Sequence, residues 1–563
     1  MNPMRNSQEH RAALAIATVL WLVTAGAVLA GLPADAGRDR AAATLTAEGI
    51  AEHIQVLSAD AFEGRAPDTA GEKKSLDYIT NHLRAAGVSP VKGGYLQKVP
   101  LLKKRLLPTT RVAVHGKGRD IPLVPGEGMT AKTGGTAGRV GIENSELVFV
   151  GYGIVADEHG WNDYAGVDVQ GKTVVVLMND PAGVADSLYF KGRALSHYGT
   201  SLNKNETAAR MGARGIIVVH DQAVIGYPWE VISGGAKNPY FDRELPKTAP
   251  GRCAFSMLVP KPVALELFST AGKDFAALAA EAARGNFHAV PLGLTLQGEI
   301  NVRVERSQTH NVVGCIRGRE RPDEYVIYTA HWDHVGIGKP VEGDSIYNGA
   351  VDNASGTAVL MELAEAYAAL PEAPKRSVVF IATGAEEQGL LGAYHYADHP
   401  LFPLENTVAV INMDALFPFG DFNGLTVVGL GSSELENYLK DAAESQGRKL
   451  IDDPTPEYGA FFRSDHYPFA KKGVPALFAV GGPLDDPPPS EEMNARFAAY
   501  MQKGYHKPQD EYDAATWDMR GIQGDARIYF LTGYTIANDA RVPNWFLGSE
   551  FRSLRDAMRD TSK

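Results

Sequence analysis

Four short apolar runs in the second half of the chain constrain its fold more than any other feature: 324–330 (EYVIYTA), 376–383 (RSVVFIAT), 407–413 (TVAVINM) and 474–480 (VPALFAV). They are rich in β-branched and aromatic residues, and they lack the alternation of a strand with one wet face. Between them lie stretches with helical spacing. In 356–370 (GTAVLMELAEAYAAL) the apolar positions include Val359, Leu360, Leu363, Ala366 and Tyr367, and 390–398 (LLGAYHYAD) also reads as a helix. Near-continuous apolar strands alternating with helices predict an α/β fold, a mixed, largely parallel sheet flanked by helices. In such sheets ligands bind beyond the carboxyl ends of the strands.

Three of the four strands run into polar residues at that end. The first meets His331, Trp332, Asp333 and His334, the second Glu386 and Glu387, and the third Asp414. Asp352 sits between the first strand and its helix, in YNGAVDNASG, and His506 stands far downstream in GYHKPQDEYD. Singly, each has an ordinary explanation: a hydrogen-bonded strand-end histidine, a helix N-cap, a solvated glutamate pair. Together they converge on one edge of one sheet, where crowded carboxylates repel unless cations neutralise them. The His-x-Asp spacing suits a metal-binding histidine whose second ring nitrogen is held by a carboxylate. Gly384 and Gly389 bracket the glutamate pair, so both side chains are expected to leave one turn toward one site.

The chain has 563 residues and 44% hydrophobic content, enough for two or three packed domains. Arg5, His10 and Arg11 precede the apolar run 12–32, and Ala34-Asp35-Ala36 comes next as a small-x-small cleavage pattern. Residues 1–36 therefore read as a secretory signal peptide, which implies a secreted or periplasmic protein with no stable membrane insertion after cleavage. An uncleaved anchor is the alternative, because the run is long enough to span a bilayer. Residues 37–130 form the first part of the main domain, with Leu76, Ile79, Leu83 and Ala86 at helical spacing. From 131 to 291 short β runs (ELVFVGYGIV, KTVVVLMND, ARGIIVVHD) alternate with glycine-rich turns and one helix, as expected of an inserted β-rich domain. The main domain resumes over 292–545, and 546–563 is left as a C-terminal tail. Net charge is −12 at pH 7, which argues against a nucleic-acid partner. Cys253 and Cys315 fall in different domains, so two buried free thiols are expected. With no Cys-x-x-Cys pair, any metal here must use histidine and carboxylate ligands.

The ordered set AHWDHVG, NGAVDNASGTA, GAEEQGLLG, NMD and YHKPQDEYD resembles the site motifs of the M28 family of co-catalytic zinc peptidases, which includes bacterial secreted aminopeptidases. SADAFEGRAP is similar to the family's N-terminal segment. The insert is similar to a protease-associated domain in VQGKTVVVLMNDPAG and AARMGARGIIVV. The resemblance implies two Zn2+ per chain: His331 and Asp414 at one metal, Glu387 and His506 at the other, and Asp352 bridging them. It makes Asp333 the residue that orients His331, Glu386 the general base, and Asp352–Asn353 a candidate cis peptide bond. His466, in RSDHYPFA, is the rival to His506, and the family pattern places SDH at the border of the cleft. His334 is expected on the rim.

The resemblance also implies an exopeptidase with a peptide substrate, most simply a metallo-aminopeptidase in which Glu386 takes a proton from a water held between the metals. Tyr505 is the candidate for a hydrogen bond to the oxyanion, because 459–463 has no tyrosine after Tyr458. Two alternatives stand beside this. A carboxypeptidase-like relative would read a substrate carboxylate through arginine, and Arg463 is the one arginine in the stretches placed near the site. A receptor-like binding protein would have lost its ligands, and this chain keeps the full set. The insert restricts access, binds substrate, mediates dimer contacts or serves as a spacer.

Overall fold

The computed structural model describes residues 35–181, 190–225, 228–235, 238–245, 251–484 and 489–560. Strand Arg321–His331 lies at the centre of the main sheet, parallel to both Arg376–Thr383 and Thr407–Asn412. Ala476–Gly482 continues the parallel set beside Thr407–Asn412. Antiparallel strands close the flanks, Val290–Ile316 and Leu96–Leu106 on one side and Gly424–Val427 on the other. The sheet is mixed with a parallel centre, as the apolar runs require.

Alternation along the strands explains why the runs are apolar throughout. Val326, Tyr328 and Ala330 pack on one face with Val378, Phe380, Ala409 and Ile411. Helices Gly356–Ala368 and Arg520–Asn538 cover this face, through Leu360, Leu363, Ile528 and Leu531 among others. Tyr325, Ile327, Val379, Ile381 and Val410 point the other way, toward Ala393, Tyr396 and Phe469. Both faces are dry, so neither can carry polar residues, and polarity appears only where the strands end.

Val290–Ile316 is 27 residues long and belongs to two sheets. Its first half pairs with Arg111–Gly116 and Arg139–Phe149 in the inserted domain, and its second half pairs with the main sheet. The hairpin Arg111–Gly116 with Arg119–Leu123, ahead of residue 131, is thus part of the second sheet. The change of sequence texture marks the parallel strands Thr173–Leu177, Gly215–His220 and Phe255–Pro260, which are buried on both faces. The antiparallel strands before them look like any half-exposed hairpin.

The insert is docked through the segment around His197. Leu195 N donates to Pro456 O at 3.1 Å, and the His197 Nδ1–Tyr467 Oη distance is 2.7 Å. Ion pairs Lys191–Glu550 at 2.9 Å and Lys471–Glu206 at 2.6 Å flank this seam. The stretch after 545 is packed body where a tail was expected. Phe551 is buried, and the buried Arg555 donates to Thr407 O at 2.8 Å and Leu404 O at 3.2 Å.

Most of the expected signal peptide, residues 1–34, lies outside the described residues. Among the described residues no helix is long and apolar enough to cross a membrane. Both cysteines are free; Cys253 is buried and Cys315 half-buried. Burial pushes the Cys253 thiol up to about 12 and the Cys315 thiol up to about 11, so both are inert at neutral pH.

Candidate active site

The ends of three neighbouring parallel strands bring the polar residues together. His331 is the last residue of its strand and is buried. Its Nε2 lies 3.2 Å from Asp414 Oδ1, 3.3 Å from Asp352 Oδ1 and 4.0 Å from Glu386 Oε2. Asp352 faces two ways: its Oδ2 is 3.1 Å from His506 Nε2, which is also 3.1 Å from Glu387 Oε2. Two sets of ligand atoms each gather within 4.8 Å, His331–Asp352–Asp414 and His334–Asp352–Glu387. The turn that presents Asp352 needs Gly349, which has φ +59°; a Cβ there would stand 2.3 Å from Asp352 O and 2.5 Å from the His334 ring. The Asp352–Asn353 peptide bond is cis.

The two adjacent glutamates differ in their surroundings. Glu387 lies between His334 Nδ1 at 2.6 Å and His506 Nε2 at 3.1 Å. The Glu386 side chain lines the cleft, with its Oε2 4.0 Å from His331 Nε2. Ala385, with φ +57°, turns the chain between strand and pair, so both carboxylates leave on the same side.

Several expected residues sit differently. His331 Nδ1 donates to the main-chain carbonyl of Asp333 at 3.1 Å, whereas the Asp333 carboxylate accepts from Glu386 N at 3.0 Å. The strand ends at His331, so the residue two places on is no longer on the same pleated face, and its side chain reaches the neighbouring strand end. His334 is fully buried behind Glu387 and is no rim residue. His466 is enclosed by Phe461 and Phe478, apart from both ligand sets, and burial pushes its pKa down to about 3. Tyr505 lines the cleft with its ring stacked on His506, centroids 4.0 Å apart.

Three supporting residues escaped the sequence reading. Arg65 is fully buried and donates to Leu57 O, Trp332 O, Asn348 O and Gly349 O at 2.6–2.8 Å, tying together the loops that carry His331 and Asp352. Burial lowers its pKa to about 10, against the pull of Asp510, Asp333, Asp352 and Glu387. Asp510 accepts from Val351 N at 2.9 Å and Asp352 N at 3.0 Å, which fixes the main chain at the shared aspartate. Ser464 receives Asn412 Nδ2 at 2.6 Å and donates to Asp414 Oδ2 at 2.5 Å. FEGR, RSDH and YHKPQDE contain the three, yet no spacing in these stretches reveals the contacts.

The electrostatics describe a pocket made for positive charge. Burial works to lower the His331 pKa, but Glu386 and Asp414 hold it well above the ordinary value. His506 is raised in the same way to about 10, chiefly by Glu387. Burial raises Glu386 well above the usual carboxylate range, with Asp414, Glu387 and Asp465 adding to it. Glu387 is held down to about 2 by His334 and His506, against burial and Asp352. The donors are imidazole nitrogens and carboxylate oxygens, a set that suits zinc.

His331, Asp352, Glu386, Glu387, Asp414 and His506 line a cleft of about 500 Å3. Residues 311–531 match the model of peptidase family M28. Aminopeptidase NAALADL1 of Mus musculus is 34% identical over 159 residues, 27% of this chain and 19% of that protein. Aminopeptidase YwaD of Bacillus subtilis is 27% identical over 238 residues, 41% of this chain and 47% of that protein. The chain thus spans between about a fifth and about a half of these curated relatives. Among solved structures, an aminopeptidase from Aneurinibacillus sp. strain AM-1 aligns over 90% of this chain and 97% of its own with TM-score 0.47 and 20% identity. Every side chain lining this cleft falls within 311–531, the stretch that matches peptidase family M28.

Proposed function

We propose that this chain is a secreted di-zinc aminopeptidase that removes N-terminal residues from peptides. The observation that carries the reading is the pair of ligand sets sharing Asp352, with the Glu386 carboxylate beside them and facing the cleft. His331, Asp352 and Asp414 would hold one zinc, and Asp352, Glu387 and His506 the other. His506 is preferred over His334 because its Nε2 meets both carboxylates and the ring lines the cleft. Zinc, when bound, supplies Lewis acidity toward the peptide carbonyl and lowers the pKa of water toward neutrality.

The remaining chemistry belongs to the chain. Glu386 takes the proton of the attacking water and delivers it to the leaving amine. Its adjacent N–H is anchored on Asp333, so the carboxylate is held by its main chain. Tyr505 offers its hydroxyl to the carbonyl oxygen as charge develops there. Arg65, Asp510 and Ser464 keep the ligands in place. The apolar run 12–32 supports export to the periplasm or beyond, and the inserted segment lines a cavity that adjoins the cleft.

Glu386→Gln tests this directly. The variant is expected to keep its fold and its zinc content while kcat on peptides falls by about 10²–10⁴-fold. Peptidase activity close to native in a zinc-loaded Glu386→Gln protein would sink the assignment of the base.

A further inference from the structure

The metal-ligand cleft opens into a second cavity of about 660 Å3, in the seam between the inserted and main domains. Met178, Leu202 and Ile225 form its wall on the insert, and Leu390, Tyr458 and Phe462 face them. Leu390, Phe462, Arg463, Tyr505 and His506 line both cavities, so the two are continuous. A peptide held at the ligand cluster therefore has a largely apolar path leading away between the domains.

Arg463 stands where the cavities join. Among the described residues it is the only lysine or arginine lining either one. It is exposed, and within the described residues no hydrogen bond or ion pair engages its guanidinium. The other charges are already matched. Asp352, Glu387 and Asp414 belong to the ligand cluster, Glu386 stands beside it, and Glu457 pairs with Arg193 at 2.9 Å. The main chain at Arg463 is well anchored. It closes the short helix Ala460–Phe462 and precedes Ser464, bound to Asp414, and Asp465, bound to Thr383. A guanidinium with no acidic partner, on a fixed main chain, beside an apolar channel, has the geometry of a carboxylate receptor.

We propose that Arg463 is a specificity-determining residue that pairs with a carboxylate of the bound peptide, at the point where the peptide passes from the ligand cluster into the interdomain cavity. The inference rests on the peptide reading of the site above. The carboxylate belongs either to the peptide's C-terminus or to an acidic side chain, and the test separates the two.

Three tripeptides sharing one neutral N-terminal residue serve as probes: one with a free C-terminus, its C-terminal amide, and an amide with glutamate at the second or third position. With the zinc-loaded enzyme, KM for at least one carboxylate-bearing peptide is expected to be about tenfold to a hundredfold below that of the neutral amide. Arg463→Gln is expected to collapse this ratio to about one through KM rather than kcat, and Arg463→Lys to restore part of it. Discrimination that survives Arg463→Gln, or that is absent from the native enzyme, overturns the proposal. Calorimetric dissociation constants for the same peptides give the same ratio without turnover. A protein that cleaves none of them sinks the peptidase reading, while the binding ratio still decides the role of Arg463.

Discussion

Arg65 does at one position what several residues do elsewhere. A single planar cation satisfies four carbonyls from three loops, all buried. Arg65→Met removes every donor at once and leaves those acceptors dry, so a loss of about 3–5 kcal/mol is expected in urea unfolding. Arg65→Lys recovers only part, because an ammonium has three donors and no fork. Equal stability of native and Arg65→Met proteins would remove Arg65 from the support of the site. The ligand residues themselves were legible because histidine and acid at the end of an apolar strand are conspicuous. Arg65 was not, because its partners are main-chain carbonyls near residues 57, 332 and 348, which leave no trace in side-chain spacing.

Elements explain why the site is where it is. Two of the parallel strands run on into turns with left-handed conformations that few side chains adopt, Ala385 before the glutamates and Ala415 after Asp414, and His506 adopts one on its own loop. Such positions cluster at functional sites because the surrounding packing holds them there. The sequence reveals the strands, by apolarity, but not these turns, since alanine and histidine carry no signal for positive φ. The first described helix, Ala36–Ala43, carries a consequence for export. Asp35 caps it, accepting from Gly37 N and Arg38 N at 3.0 Å, and also accepts from Tyr534 Oη at 2.7 Å. A cut after Ala36 would discard that cap. Under the proposed export, N-terminal sequencing of the mature protein is expected to place Asp35 inside the chain. A mature terminus at Gly37 would refute this.

At the scale of the whole molecule, the seam between the domains is expected to respond to acid. His197 bridges Asn203 on the insert and Tyr467 on the main domain, at 2.7 Å from each. Burial pushes its pKa down to about 3, and the nearby Lys471 acts in the same direction. An unfolded histidine titrates near 6.5, so below that pH the unfolded chain binds a proton that the folded chain refuses. The stability owed to neutral His197 is full above about 6.5 and is lost as pH falls toward 3, at about 1.4 kcal/mol per pH unit. His197→Gln cannot titrate. The native protein's stability relative to this variant is expected to fall with that slope between pH 6.5 and 5 in parallel urea titrations. Parallel pH profiles for the two proteins would contradict it.

The strand Val290–Ile316 has a further consequence. Its hydrogen-bond ladders run from one hydrophobic core into the other, with irregularities only in the half that pairs with Arg139–Phe149. Pulling either sheet apart strips one end of the same strand, so the insert is not a detachable accessory hung on two flexible tethers. It and the main domain share one mechanical spine, and an excision of the insert that leaves the metal-bearing half intact has no clean place to cut.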